Sequence, residues 1–386
     1  MRILHTGDWH VGKTLHRHQR LDEAAEVLDE VVQIARDDEV DLTLVCGDVF
    51  DQFAPSAEAE RIVYRALVGL RTTGSAVLVI PGNHDDARRF AAIEGLSGAA
   101  GIVIVPEVRR PDAGGIIEFT SRDSKYVAQV AALPWVPEKR LFGAEEMMGL
   151  EGDPSNAYAD ELAKLLRALC NGFEPGKIHV LAGHLFVSGA KVGGGERTLT
   201  IGEIFAVDPQ GLPTTPQYIA LGHVHRPQAV STAPVPTRYS GSLLQLDFGE
   251  REQEKSVAIV ELKPGRPPEV TTFGLKGGRR LLDVAGTLDE LRAMEIDPDA
   301  YLRVTLRCEG PSPGLADEVR EFLPGALVVQ LDYERESGGR EPGELQRLEP
   351  RELFARYYQD RHGAPAEDRM LRLFDELFEE VTGAAA

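Results

Sequence analysis

Asp, His and Asn gather at five places in this chain, each directly after a short apolar run. Arg2–Thr6 leads into Gly7-Asp8-Trp9-His10, and Leu42–Cys46 into Gly47-Asp48. Ala76–Ile80 leads into Gly82-Asn83-His84-Asp85, Ile178–Ala182 into Gly183-His184, and Tyr218–Leu221 into Gly222-His223-Val224-His225. One Asp-x-His or Gly-His alone carries almost no information, and Gly-Asn-His-Asp also suits a plain turn. Five clusters at the same place relative to an apolar run are far more specific, and they hold five of the ten histidines. Their donors are carboxylate, amide oxygen and imidazole, with no cysteine in the clusters themselves. Such donors suit manganese, iron or zinc and argue against a closed structural zinc site. The set is too large for one tetrahedral ion and suits two ions sharing a bridging carboxylate. Two ions about 3.5–4 Å apart form a clamp for in-line displacement at phosphorus.

The elements that must position these residues can be read from the same runs. Short stretches rich in Val, Ile and Leu that stop at Gly read as buried strands entering tight turns. Side chains at the carboxyl ends of neighbouring strands converge on one edge of a sheet, so the five clusters are expected to form one pocket there. Between the strands, Leu21, Ala24, Ala25, Leu28, Val31, Val32 and Ala35 repeat at helical spacing, as do Ile62, Val63, Ala66, Leu67 and Leu70. Alternating strand and helix predicts an α/β core. Val257–Leu262 and Val270–Phe273 close a β-rich domain over residues 1–275. Residues 276–335 read as a smaller α+β unit, with a strand at Tyr301–Cys308, a helix at Leu315–Leu323 and a strand at Ala326–Leu331. Residues 336–386 begin with a linker, Glu336 to Gly343, and end in two helices. Leu353, Phe354, Tyr357 and Tyr358 mark one helix; Met370, Leu373, Phe374, Leu377 and Phe378 mark the other. Large apolar groups on so short a tail need a surface to cover them.

The five clusters resemble the five motifs of calcineurin-like metallophosphoesterases, and no expected ligand is missing. His5-Thr-Gly-Asp8-Trp-His10-Val-Gly-Lys-Thr-Leu15, with Pro81-Gly-Asn-His-Asp85 and Tyr239-Ser-Gly-Ser-Leu243, looks like the SbcD nuclease family, relatives of the eukaryotic and archaeal double-strand-break repair nuclease. The resemblance covers essentially the whole chain. It implies a two-sheet β-sandwich flanked by helices, a small α+β capping domain and a helical tail. It implies that Asp8, His10, Asp48 and His225 hold one ion, and that Asp48 bridges to a second held by Asn83, His184 and His223. Manganese is the ion expected, with magnesium the alternative. His84 is expected beside the phosphate as general acid rather than as a ligand. Asp85, grouped with His84 as catalytic, would fix the His84 tautomer, cap the following helix, or do both, and Asp51 would support the ligands from outside. The family implies double-strand exonuclease and single-strand or hairpin endonuclease activity in DNA repair and recombination. It further implies a homodimer, with the helix region of Phe90, Ile93 and Leu96 contributing, within a heterotetramer. The partner would be an SbcC-type ABC ATPase whose coiled coil binds Leu353, Phe354, Tyr357, Leu373, Phe374 and Leu377.

Gly7 to Thr14 also satisfies the P-loop pattern G-x-x-x-x-G-K-T. Asp, Trp, His and Val are bulky for a loop that must wrap its amides around phosphates, and Leu15-His-Arg-His-Gln-Arg20 is no obvious helix start. ATP chemistry is therefore expected in a partner, not here.

The chain has 386 residues with 42 Lys and Arg against 62 Asp and Glu, a net charge of −20. Residues 1–275 hold 27 against 38 and residues 276–386 hold 15 against 24, so neither part is basic. Phosphate contacts normally supply nonspecific DNA affinity. Binding must then rest on local patches: Lys13, His16, Arg17, His18 and Arg20; Arg88 and Arg89; Lys276, Arg279 and Arg280. Three scattered cysteines imply no disulfide framework and fit a reducing cytoplasm; the resemblance to the nuclease family implies association with the nucleoid there. No apolar run approaches the roughly 20 residues of a membrane helix. Two rival readings share the ligand set: a small-molecule or nucleotide phosphodiesterase or phosphatase, and a non-catalytic scaffold for DNA ends.

Overall fold

The computed structural model describes residues 1–150, 158–193, 196, 206–310, 314–333, 350–362, 365–366 and 368–383. The linker expected from Glu336 to Gly343 lies outside the described residues. Two compact units form: Met1–Arg307 with Ser312–Leu331, and Cys308–Pro311 with Asp332–Ala386.

All five motif strands form, as Arg2–Thr6, Leu42–Cys46, Ala76–Ile80, Ile178–His184 and Tyr218–Gly222. They do not share one sheet edge. Three lie in a six-stranded sheet ordered Glu269–Gly274, Ser256–Glu261, Arg2–Thr6, Leu42–Cys46, Ala76–Ile80, Ile102–Ile104. Two lie in another, ordered Gln228–Ala229, Thr237–Tyr239, Tyr218–Gly222, Ile178–His184, Val127–Leu133, Ile116–Thr120. The two sheets form the sandwich that the family resemblance implies; what is corrected is only the placing of all five clusters on one sheet edge, since the motif strands divide three and two between the sheets. Local apolar patterning reports burial, not which strands pair.

Alternation along the strands explains the sandwich. Ile3, Leu44 and Leu78 of the first sheet pack with Val130, Val180 and Ala220 of the second in one core. Their neighbours face outward but are buried as well. Leu4, Val45 and Val79 pack with Leu28, Val31 and Ile62 of the helices Leu21–Asp37 and Ala57–Thr72. Leu133, Leu181 and Ile219 pack with Leu162 and Leu166 of the helix Tyr158–Cys170. Burial on both faces is why these strands read as continuous apolar runs.

The third sheet, Leu281–Gly286, Tyr301–Arg307 and Ala326–Asp332, has its own core of Leu291, Leu302, Val304, Leu306 and Val319. Leu281 and Tyr301 pack with Leu15 and Phe248 of the sandwich, and the Tyr301 hydroxyl donates to Glu23 Oε1 at 2.8 Å. Separately, the tail forms helices Pro350–His362 and Asp368–Gly383. Phe354 stacks on Phe374 with centroids 4.4 Å apart and planes at 7°. Two of the expected partner contacts thus pack on each other, while Leu353, Tyr357, Leu373 and Leu377 stay exposed. On the helix Ala87–Ala99, Phe90 is buried and Leu96 is 78% exposed. Among the described residues, no helix is long and apolar enough to cross a membrane.

Candidate metal centre

The turns after the motif strands hold their side chains inward at a cost in backbone strain. Asp8, His10 and Asp48 have φ of 49°, 45° and 47°, and His223 has 103°. Left-handed conformations of non-glycine residues cost roughly 1–3 kcal/mol each and persist where the surroundings impose them. Here the imposing bonds are visible. Asp8 N–H donates to Gly47 O at 2.9 Å, and His10 N–H to Asp48 O at 2.9 Å. His223 N–H donates to both Asp8 oxygens, at 2.9 and 3.1 Å. The glycines answer to close approach. A Cβ on Gly47 would lie 2.1 Å from His184 Nδ1, and one on Gly222 would lie 1.7 Å from Cys46 O.

All seven expected ligands converge and are buried. Asp48 Oδ2 lies 3.6 Å from His10 Nε2 and 3.5 Å from His184 Nε2, placing one carboxylate between the two halves of the set. Asn83 Oδ1 lies 3.0 Å from His184 Nε2 and 2.8 Å from His223 Nδ1. Ligand atoms of His10, Asp48 and His84 lie within 4.8 Å of one another, as do those of Asp48, His184 and His223. His10 Nε2 is buried without a hydrogen-bond partner, although buried polar groups are normally satisfied. The orphaned nitrogen, the oxygen and imidazole donors and the shared carboxylate fit two divalent ions.

The other nitrogens of three histidines are held from behind, which fixes ring orientation. His184 Nδ1–H donates to Cys46 O at 2.9 Å, His225 Nδ1–H to Glu250 Oε1 at 2.9 Å, and His10 Nδ1 lies 3.3 Å from Asp51 Oδ1. Burial pushes the Asp8 carboxyl up to about 7 despite the charge of His184. Burial acts the same way on Asp48, but the charges of His184, His10 and His84 hold it well below the ordinary carboxylate range. Burial lowers His184, yet the Asp48 charge carries it up to about 9. Buried carboxylates in such a mixture are paired or coordinate metal.

Asp85 does neither of the two things expected of it. Its carboxylate accepts N–H bonds from Gly82, Val49 and Phe50 at 2.9, 3.0 and 2.9 Å, tying the third motif to the second. His84 Nδ1 instead donates to Asp51 O at 2.8 Å, and Asp86 caps the following helix. Three donors at successive strand ends outcompete one neighbouring ring. Asp51 meets its expectation of supporting the site, lying against His10, His84 and, at 3.2 Å, Lys13.

The expected nucleic-acid residues fare unevenly. Arg20 is 3% exposed and corrects the expectation: its guanidinium pairs with Glu23 at 2.8 Å and donates to Gln245 O at 2.5 Å. It is a structural cation. Arg20→Ala is expected to cost about 3 kcal/mol, as for breaking a buried pair, with DNA affinity unchanged; denaturant titration and a filter-binding assay check both halves. Lys13 pairs with Asp51, Arg88 with Asp86 and Arg89 with Glu60. His16 and Arg17 sit exposed at the turn between the strands Thr14–Leu15 and His18–Gln19. A strand there, not a helix, also removes the P-loop reading. Arg279 stacks on Tyr301, its Cζ 4.1 Å from the ring centroid.

Three neighbours of the site carry no signal in the sequence. Glu250 and Lys255 lie behind His225, and Trp135 stacks on His223 at 5.4 Å between centroids. Trp135 also lines a cleft of about 910 Å³ beside Asn83, Arg88 and Lys139, large enough for a nucleotide-sized group. None of them follows a strand-ending glycine, the only pattern that marked the ligands.

Residues 1–227 match the calcineurin-like phosphoesterase family. Residues 278–362 match a second family, described as the type 5 capsule protein repressor C-terminal domain. The SbcD subunit of the nuclease SbcCD from Bacillus subtilis is 31% identical to this chain over 399 aligned positions, covering 98% of this chain and 97% of that protein. The protein of the same name in Rhodobacter capsulatus is 32% identical, covering 92% of this chain and 94% of that one.

Proposed function

The chain belongs to the calcineurin-like phosphoesterase family, on the branch of the SbcD nuclease subunits, and on that premise we propose that it hydrolyses DNA phosphodiester bonds as the nuclease subunit of a complex with an SbcC-type ATPase. The observation that carries this reading is the burial of all seven candidate donors with one carboxylate, that of Asp48, standing between His10 and His184. Asp8, His10, Asp48 and His225 would hold one divalent ion, and Asp48, Asn83, His184 and His223 the other, with manganese as the activating metal. Two ions bound there supply an acidified water and a clamp on the phosphate oxygens. The residues around them do the rest. Asp51, Glu250 and the Cys46 carbonyl orient the imidazoles. Asp85 locks the second and third motif turns together. His84, its Nδ1 committed to Asp51 O, offers Nε2 to the leaving oxygen.

The same reading assigns double-strand exonuclease and single-strand or hairpin endonuclease activity, with residues 276–335 as a cap over the site. It assigns the exposed Leu353, Tyr357, Leu373 and Leu377 to the ATPase coiled coil and the helix carrying Leu96 to a homodimer. Since bulk charge disfavours DNA, association would lean on the ions, on His16 and Arg17, and on the partner.

The test is cleavage of linear and hairpin DNA by the purified chain with manganese, with magnesium and with chelator. Manganese-dependent cleavage that the chelator stops supports the assignment. Turnover of a small phosphodiester with intact DNA moves it to a small-molecule phosphodiesterase. Turnover of neither substrate, with or without the ATPase, leaves the scaffold.

A further inference from the structure

His225 is gripped at both ring and backbone by a buried pair of opposite charges. Glu250 is 0% exposed and Lys255 7%. Glu250 Oε1 accepts the His225 Nδ1–H at 2.9 Å, while Oε2 accepts from Lys255 Nζ at 2.7 Å and from Leu246 N at 3.0 Å. Lys255 Nζ also donates to the His225 carbonyl at 2.9 Å and to Ser242 Oγ at 2.8 Å. Ser242 N–H reaches the same carbonyl at 3.0 Å, and His225 N–H donates to Glu196 at 3.1 Å.

We propose that Glu250, balanced by Lys255, is a positioning residue for metal uptake: it fixes the Nδ1–H tautomer and ring angle of His225 so that the Nε2 lone pair faces one of the two ions. This rests on the two-ion reading of the site. Stability alone is a poor reason for such a pair, because a buried ion pair can often be replaced by apolar groups at no loss. What an apolar pair cannot do is hold an imidazole nitrogen. The site repeats the device on its surface side, where Asp51 stands between His10 Nδ1 and Lys13 Nζ at 3.3 and 3.2 Å. Both imidazoles assigned to the first ion therefore back onto a carboxylate paired with a lysine. His184, assigned to the second, backs onto the neutral Cys46 carbonyl. Glu250→Gln or the apolar pair should thus weaken one ion and spare the other.

The experiment titrates manganese into the metal-stripped full chain by calorimetry, comparing wild type, Glu250→Gln, and Glu250→Leu combined with Lys255→Met. The double variant removes both charges together and so leaves none buried alone. The expected result is two sites in each protein, one of them about 10–100-fold weaker in the double variant. Glu250→Gln should fall between, since it keeps an acceptor for Nδ1–H and loses the charge. Cleavage should recover at saturating manganese, a change in metal requirement without a matching change in kcat. Wild-type affinity at both sites in the folded variants would overturn the proposal. So would equal weakening of both sites, or failure of both variants to fold, which would assign the pair to the scaffold. Uptake of no manganese by wild type would bring down the two-ion reading itself, whereas uptake without DNA cleavage would bring down only the nuclease assignment.

Discussion

Asp48→Ala is expected to lower manganese-dependent phosphodiester cleavage by about a thousandfold or more, equivalent to about 4 kcal/mol of transition-state stabilisation. The size reflects how many parts meet at one carboxylate. Oδ2 stands between His10 Nε2 and His184 Nε2, and Oδ1 accepts the His84 N–H at 2.7 Å. Losing it would remove the carboxylate proposed to be shared by two ions and free the backbone of the residue expected to protonate the leaving group. Asp48→Asn separates charge from shape. Asn tolerates the left-handed φ that Asp48 adopts and keeps an oxygen for His84 N–H, so the fold should hold. Most of the activity should still be lost, because the amide carries no charge to share between two cations. Single-turnover cleavage and a thermal melt on the same samples measure the two effects. Either variant retaining a tenth of wild-type activity at saturating manganese would remove Asp48 from the centre of the mechanism.

How far the sequence could be read depended on the range of the interaction. The motif strands were legible because glycine follows each apolar run, and at Gly47, Gly82 and Gly222 a Cβ would lie 2.1, 2.2 and 1.7 Å from a neighbouring atom. The candidate ligands stood out because oxygen and imidazole donors repeat at that one position. The split of the strands between two sheets came only through the family resemblance, since patterning tells each strand only that both its faces are covered. Arg20 looked like a surface cation because composition cannot tell a buried pair from a solvated one; its partners are Glu23, three residues on, and the distant Gln245 carbonyl. Asp85 was misread by favouring its neighbours in sequence over three backbone N–H groups, two of them from the preceding motif. Glu250 and Lys255 lie 25 and 30 residues beyond His225 with no periodicity linking them. The turn from Phe248–Glu250 into the strand Ser256–Glu261 brings them behind His225.

His84→Ala is expected to lower cleavage by roughly 10²–10⁴-fold, the usual range for a general acid, while the protein still takes up two ions. The geometry places this residue against the candidate ligands while committing one of its ring nitrogens elsewhere. Its ring stands edge-on to that of His10, with centroids 4.7 Å apart and planes at 85°. Its Nδ1 is spent on a backbone carbonyl, so proton exchange with a substrate falls to Nε2. A protonating role and a binding role leave different traces. If His84 supplies a proton, the defect should shrink on a nitrophenyl phosphodiester, whose leaving group departs without one, and persist on DNA, whose alkoxide does not. If His84 instead completes the donor group that its distance to His10 and Asp48 permits, the variant should lose an ion and fail equally on both substrates. Comparing the two substrates at saturating manganese, alongside the metal count, therefore decides the role. An equal loss on both esters with two ions bound would contradict the general-acid assignment and leave His84 as a phosphate-orienting group.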